Sequence, residues 1–363
     1  MAKHTREELT LYQSLPLDVK VRMTQQRIRG WINAFGTDGV YVSFSGGKDS
    51  TVLLDIVRKM GYSDVPAVFV DVPTQYPELK TFAQKESNLE ILKPKISFMQ
   101  VCEKYGFPLI SKEISQVVWE AQEVTKKYFK DGKWDNPEKY KFGVPACILR
   151  LEGTLPHTEN KVLTDETSTM YDKSKWKFFL KAPFQISNKC CKEMKKKPIE
   201  LYAKQNQRVG ITGQMAEESD LRTQKWIQNG CNGFELKRPI SNPMSFWTEQ
   251  DVLEYIVKYD IEICSVYGDI VEDYRDQLDG QMHLADYGLA EKKRYYKCTG
   301  CQRTGCMLCG FGCHLEKSPN RFEMLKQTHP KMYALLDVVK NNGYTFRQAI
   351  DWINEHGNMD IKY

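Results

Sequence analysis

The sequence predicts an α/β fold: a doubly wound, mainly parallel sheet with a helical insertion and a cysteine-rich C-terminal region. Three observations predict it. Short apolar runs alternate with helical patterns at short intervals, as a parallel sheet covered by helices on both faces requires. A glycine-rich turn joins the first of these runs to the next helix. Eleven cysteines are present, and Cys298, Cys301, Cys306, Cys309 and Cys313 crowd one short stretch near the end.

Residues 1–36 read as a helical segment, because Val21, Ile28, Trp31, Ile32 and Phe35 share one helical face between Leu17 and Phe35. That helix is expected to be scaffold. Residues 37–270 read as an α/β domain and 271–363 as a cysteine-rich region with C-terminal helices. Tyr41, Val42 and Phe44 form a short buried strand, and the run after Ser50 a helix. Ala67-Val68-Phe69-Val70-Asp71 is a continuous apolar strand ending in an acid, and Pro77-Glu78 opens another helix. Asp71 and Glu78 are candidate site residues, since ligands of doubly wound sheets bind beyond the strand ends.

Leu89–Leu92 gives a third strand and Met99–Tyr105 a helix. Residues 107–184 form the insertion: an amphipathic helix near Ile114–Lys130, then a turn over Asp131–Pro137. Ser187 or Asn188 caps a helix carrying Cys190-Cys191, and Arg208–Gly213 is another strand. Thr248, with Asp251 three residues on, opens a helix running to about Tyr259.

The turn Ser45-Gly46-Gly47-Lys48-Asp49-Ser50 lies between strand and helix. Glycine lets backbone approach a ligand closely, and the N–H groups of a turn and a helix N-terminus converge on one spot. That spot suits phosphate oxygens, with Lys48 adding a full positive charge. The spacing is not that of a GxxxxGK[ST] loop.

The cysteines point to metal or redox chemistry, since an odd count fits a complete disulfide framework poorly. Three arrangements compete. Cys298, Cys301, Cys306 and Cys309 could surround a structural zinc. Cys301, Cys306 and Cys309 reproduce the C-x4-C-x2-C spacing of a two-iron cluster. Cys190 and Cys191 with Cys306 and Cys309 could hold a four-iron cluster if the helix bends, because successive helical side chains point about 100° apart. Cys102, Cys147, Cys231 and Cys264 stand alone and read as core or bystander thiols.

With these residues the sequence resembles the PP-loop ATP pyrophosphatases, whose fold is adenine nucleotide α-hydrolase-like, and within them the iron–sulfur-binding branch of the phosphoadenosine-phosphosulfate (PAPS) reductase family. The resemblance implies that Ser45, Gly46, Gly47, Lys48, Asp49 and Ser50 grip the phosphates of ATP or an adenylyl nucleotide, with Lys48 and Asp49 catalytic. It places Asp71 near the nucleotide, although Val72-Pro73-Thr74 replaces the family's shorter turn. Thr212-Gly213 with Glu217, Ser219 and Arg222 resembles the segment that meets the sulfonucleotide, for which an arginine fork is suited. Gly305-Cys306-Met307-Leu308-Cys309 and Lys189-Cys190-Cys191 match the two halves of a [4Fe-4S] motif; Cys298, Cys301 and Cys313 have no counterpart and remain alternates, for zinc or as redox-active thiols.

The intact SGGKDS string, and the absence of a cysteine beyond Cys313, set this sequence apart from the reductases that the family is named for. The expected function is therefore cleavage of ATP at the α–β bond to adenylate a substrate for sulfur transfer. Mg²⁺ held by Asp49 or Asp71 would neutralise the phosphates. One alternative is an adenylyl-sulfate or phosphoadenylyl-sulfate reductase forming sulfite with Cys298, Cys301 or Cys313 as nucleophile. Another is a zinc-stabilised, non-catalytic nucleotide-binding module.

The net charge of +5 permits an anionic substrate without demanding nucleic acid. Lys192, Lys195, Lys196 and Lys197 form a solvated face or attract a sulfate or nucleic-acid substrate. A thiol or electron donor protein is an expected partner. No apolar run reaches membrane-spanning length, and the Met1-Ala2-Lys3-His4 start has no apolar signal region, so a cytoplasmic protein is expected.

Overall fold

Three of the apolar runs, β1 (Val40–Ser43), β2 (Ala67–Val70) and β3 (Leu89–Leu92), lie side by side in a six-stranded sheet. The computed structural model describes residues 3–128, 144–159, 162–167, 171–273 and 294–363. The sheet runs β3, β2, β1, Val209–Thr212, Ile240–Ser241, Asn232–Gly233. β1 is parallel to both neighbours, with Val42 opposite Ala67 on one side and Ile211 on the other. The Asn232–Gly233 strand pairs antiparallel with Ile240–Ser241; the other pairs are parallel. All four residues of β2 are buried, as expected of a central parallel strand covered on both faces.

The chain divides into two compact units, one of residues 1–71, 75–93 and 198–305, the other of 72–74, 94–197 and 306–363. The first contains the sheet. Its N-terminal helix α1 (Arg6–Gln13) opens on a capping box of Thr5 and Glu8. Helix α2 (Leu17–Phe35) has the predicted limits and buries Ile28, Trp31 and Ile32 in the same core as β1. Helix α3 (Lys48–Lys59) buries Val52, Leu53, Ile56 and Val57 there. It starts at Lys48, ahead of the run after Ser50, because Gly47 takes an extended N-cap conformation and Asp49 suits the positive end of the helix. Helix Glu249–Tyr259 opens on the predicted capping box of Thr248 and Asp251.

Asp251 also receives both hydrogen bonds of a buried ion pair, from the Lys20 ammonium of α2, at 2.7 and 2.6 Å. Lys20 is 1% exposed, and the Gln13 carbonyl accepts its remaining bond at 2.6 Å.

The second unit is built around residues 107–110. Leu109–Ile110 pairs in parallel with Gly310–Phe311, and Phe107 bridges to Ile186. The amphipathic helix of the insertion spans Lys112–Tyr128; its expected end beyond Tyr128 and the turn at 131–137 lie outside the described residues. The stretch 107–184, expected to be helical, also carries an antiparallel hairpin, Pro156–Glu159 with Val162–Thr167. Among the described residues no helix is long and apolar enough to cross a membrane.

The Lys20 pair yields a stability test. Lys20→Ala leaves the Asp251 carboxylate buried and half its partners gone, which should cost about 3–5 kcal/mol. Urea denaturation followed by tryptophan fluorescence would show it; a loss under about 1 kcal/mol would mean that water repairs the site.

Candidate functional site

The glycine-rich turn leaves β1 where the Val209–Thr212 strand also ends, because the two are parallel and Ser43 stands opposite Thr212. Strand order increases to one side of β1 in sequence and restarts on the other, and this switch point opens a crevice beyond the strand ends. Two glycines make the fit possible. Gly46 has φ +72°, and a side chain there would meet the Leu79 carbonyl oxygen at 2.9 Å. A Cβ on Gly213 would lie 2.9 Å from the Asp49 carbonyl oxygen.

Hydroxyls lock the turn internally. The Ser45 N–H donates to Ser50 Oγ at 3.1 Å, and Ser50 Oγ donates to the Gly47 carbonyl at 2.9 Å. Ser45 Oγ accepts the Gly47 N–H at 3.3 Å. Ser45 and Ser50 therefore shape the loop.

Lys48 is 4% exposed and has specific partners. Its ammonium lies 2.6 Å from Glu249 Oε1 and donates to the Gln302 carbonyl at 2.5 Å. Its N–H donates to the Tyr267 hydroxyl at 3.3 Å, and the Tyr267 ring lies 5.4 Å beneath the ammonium. Sequence reasoning missed Glu249, Tyr267 and Gln302, which are more than two hundred positions away and belong to no motif. Only the Thr248 capping signal pointed near Glu249.

Asp49 Oδ1 is buried and has no hydrogen-bond partner among the described residues. Burial pushes its carboxyl above the usual range; Lys48, Arg303 and Arg222 pull the other way and Glu249 adds to the rise. Burial likewise raises Glu217, whose Oε1 accepts the Glu249 N–H at 2.6 Å. Arg222, on helix Asp220–Asn229, pairs with Glu218, and burial holds its guanidinium below its ordinary value. The structure thus brings Lys48, Asp49, Gly213, Glu217 and Arg222 together. Ser219 is the N-cap of the arginine's helix. Asp71, at the end of β2, is held by Lys80 at 2.7 Å, and Glu78 sits in the first turn of helix Pro77–Ala83.

In the second unit, Cys190 and Cys191 lie on a short α-helical turn, Lys189–Cys191, that widens at once into a π-helical turn, Lys192–Lys196. Asn188 is the N-cap residue, without a side-chain cap bond, and Ser187 Oγ accepts the Lys189 N–H at 3.4 Å. The Phe107 N–H donates to the Gln185 carbonyl and the Ser187 N–H to the Phe107 carbonyl, both at 2.9 Å. On the other side the Gly310 N–H donates to the Pro108 carbonyl at 2.9 Å. One extended segment therefore holds the chain before Cys190 and the chain after Cys309.

The sulfurs feel one another's charge. Cys190 is pushed far up by its hydrogen bond with Cys191, by burial and by Cys191, Cys309 and Cys306. Cys191 falls to about 6, chiefly because that same bond favours its thiolate, with Lys112, Lys195 and Lys196 assisting. Burial opposes the charge of Lys195, but Cys306 and Cys191 outweigh it and raise its ammonium. Among the described residues no group of three or more His, Cys, Asp or Glu side chains is arranged to hold a metal ion. Lys192 and Lys196 are exposed, and Lys197 pairs with Glu193.

Cys298 is buried and its thiol raised by burial; Cys301 is half-buried, its Sγ donating to the Tyr76 hydroxyl at 3.7 Å. Both belong to the first unit, whereas Cys306, Cys309 and Cys313 belong to the second. Burial pushes the Cys313 thiol up to about 12, and its Sγ donates to the Gly310 carbonyl. Cys102, Cys147, Cys231 and Cys264 are buried, as core residues are.

The phosphoadenosine phosphosulfate reductase domain matches residues 39–141 and 114–310, which takes in the loop, the arginine segment and Cys190, Cys191, Cys306 and Cys309. The chain belongs to that domain family. Among solved structures, phosphoadenylyl-sulfate (PAPS) reductase from Candida auris in a phosphate complex is 15% identical, with 72% of this chain and 90% of that one covered and a TM-score of 0.33. A likeness that slight carries no argument. No curated protein matches the chain. Family membership agrees with the mainly parallel sheet and with the position of the loop after its first strand.

Two tests follow from this geometry. Asp49 has its pKa raised on folding, so its contribution to stability is full below the ordinary aspartate value of 3.8 and is lost as pH rises through the raised value. Asp49→Asn should therefore stabilise the fold at pH 7, with a gain that shrinks towards pH 4; urea midpoints across that range check it. Gly106 has φ +96°, and a Cβ there would stand 2.3 Å from the Gln185 carbonyl oxygen. Gly106→Val should loosen the strand before Cys190, read as faster thiol labelling of Cys190 and Cys191 by mass spectrometry.

Proposed function

We propose that this chain is a PAPS reductase-family enzyme of sulfur metabolism that cleaves ATP between the α- and β-phosphates and adenylates a substrate oxygen for sulfur transfer. One observation carries the reading: Lys48 and Asp49 begin a helix beside a tight glycine turn, one supplying a fixed ammonium and the other a buried carboxylate oxygen without a hydrogen-bond partner. The substrate oxygen attacks the α-phosphorus, the bond to the β-phosphate breaks, and pyrophosphate departs with both electrons of that bond. Lys48 stabilises the charge that grows on the leaving group, and the helix N-terminus adds its partial positive charge. A sulfide-level sulfur nucleophile, hydrosulfide delivered by the donor protein, then attacks the activated carbon, and AMP departs with both electrons of the broken C–O bond.

Of the two acids expected to hold Mg²⁺, Asp49 fits better, because its Oδ1 is unpartnered while Asp71 is held by Lys80. For a [4Fe-4S] cluster the donor types are right: Cys190, Cys191, Cys306 and Cys309 feel one another's charge and Lys195 lies beside Cys306 and Cys191, but among the described residues no three of these side chains are arranged to hold a metal ion, so the sulfurs would have to move together to bind one. A bound cluster would offer a sulfur or an anion-binding metal face; the chain's own part is to supply four cysteine sulfurs, which give up their protons on binding, with Lys195 beside them. A nucleic-acid or sulfate substrate, a thiol or electron donor protein and a cytoplasmic setting, in which eleven free cysteines stay reduced, complete the proposal.

Direct sulfite formation is the weaker reading because Cys298 and Cys313, two of its three candidate nucleophiles, are buried with raised thiol pKa values. The deciding experiment incubates anaerobically purified protein with ATP, adenylyl sulfate or phosphoadenylyl sulfate in separate reactions. Pyrophosphate and AMP from ATP, reduced at least about tenfold by Lys48→Ala, are expected. Sulfite from either sulfonucleotide with a thiol donor, and no pyrophosphate from ATP, would replace this reading with the reductase. Iron with acid-labile sulfide, lost on Cys306→Ser, is expected; zinc alone would favour a binding module.

A further inference from the structure

The segment Gly300–Thr304 is pinned against the glycine-rich loop on both sides of one arginine. Before Arg303, the Gln302 carbonyl accepts from the Lys48 ammonium at 2.5 Å, and the Gln302 side chain donates to the Cys298 carbonyl at 2.6 Å. After it, Thr304 Oγ1 lies 2.8 Å from the Tyr267 hydroxyl, the group that accepts the Lys48 N–H. The base of the segment is fixed too, since the Gly300 N–H donates to the Tyr267 carbonyl at 2.8 Å and the Cys301 N–H to the Val266 carbonyl at 3.0 Å. A Cβ on Gly47 would lie 3.5 Å from Thr304 Oγ1, so the segment touches the turn itself.

Arg303 is exposed and makes no ion pair among the described residues. The loop contacts of Gln302 and Thr304 on either side place Arg303 beside the glycine turn, and Asp49, Glu217 and Arg222 all feel its charge. It acts on Asp49 only at a distance, since Asp49 Oδ1 accepts no hydrogen bond among the described residues. It also works against Arg222, the one opposing the other's charge. Lys48 is paired with Glu249 and Arg222 with Glu218, so of the three cations near the turn Arg303 is the one without an ion-pair partner among the described residues, and a guanidinium fork so placed is suited to an incoming tetrahedral anion.

We propose that Arg303 is a binding residue for the oxyanion attached to the nucleotide's α-phosphate, either the β-phosphate of ATP or the sulfate of an adenylyl sulfate. The proposal rests on the nucleotide reading above and assigns it a residue from a different part of the sequence. Arg303 is thereby a specificity residue: it distinguishes a nucleotide with a second tetrahedral anion from AMP. Gln302 and Thr304 are positioning residues, fixing the backbone from which the guanidinium reaches.

Isothermal titration of the full chain with ATP, adenylyl sulfate, AMP and adenosine tests this, using wild type, Arg303→Ala, Arg303→Lys and Lys48→Ala. Arg303→Ala should weaken ATP, adenylyl sulfate or both by roughly tenfold to a hundredfold, the size expected of a charge-assisted hydrogen-bonded pair. Which of the two weakens identifies the anion. Adenosine and AMP binding, and the ligand-free melting temperature, should not change, and Arg303→Lys should recover only part because it keeps the charge but not the fork. Arg303→Ala that binds both anionic nucleotides like wild type, while Lys48→Ala does not, would overturn this inference and leave the loop reading intact. Equal loss for adenosine or a lower melting temperature would make Arg303 structural and overturn it as well. Wild type that binds none of the nucleotides would overturn both readings.

Discussion

Everything at the loop depends on the parallel pairing of β1 with the Val209–Thr212 strand. Parallel neighbours end at the same edge of a sheet, so the turn after Ser43 and the turn after Thr212 must share one small space. That crowding explains the glycines. Gly46 takes a left-handed conformation against the Leu79 backbone, and Gly213 leaves no room for a Cβ beside the Asp49 carbonyl. It also explains why Lys48 and Asp49 are removed from water: the first turn of α3 begins inside the crevice.

Taking those two charges out of water is unfavourable, and the two residues are treated differently. Lys48 is compensated by Glu249, the Gln302 carbonyl and the Tyr267 ring. Asp49 is compensated only at a distance, by neighbouring cations, and its carboxyl is pushed upward as a result. A buried group left short of partners weakens the fold and is expected where a ligand or ion is to be bound. The fixed lysine, by contrast, needs no reorganisation when an anion arrives.

The second unit solves a different problem, that of bringing together cysteines more than a hundred residues apart. Residues 107–110 act as a common seam, bonded to the chain before Cys190 on one side and to the chain after Cys309 on the other. Adjacent cysteines on a regular helix diverge; Cys190 and Cys191 lie on a regular α-helical turn, and the helix widens into a π turn only after them, at Lys192–Lys196. Lys195, one of four lysines in that run, is half-buried beside Cys306 and Cys191, whereas Lys192 and Lys196 face solvent.

The sequence by itself determined the local features. The runs at Val40 and Ala67 are apolar, so they had to be buried strands, whereas the run at Leu89 carries Glu90 and forms a half-exposed edge strand; the Ile28, Trp31, Ile32 stripe had to face a core; and the Thr248-Asp251 pair had to begin a helix. Motif resemblance named the loop, Arg222 and the four cysteines, because those features keep fixed spacings along the chain. Tertiary structure alone decided which distant groups meet them: Glu249, Tyr267, Gln302 and Arg303 at the loop, and the seam at Phe107 for the cysteines. It alone distinguished Asp71, held by Lys80, from Asp49, and Lys195 from the lysines around it. The physical reason is range. Backbone preference and side-chain periodicity act over a few residues, while the partner of a buried charge is chosen by which elements the sheet brings to the same edge.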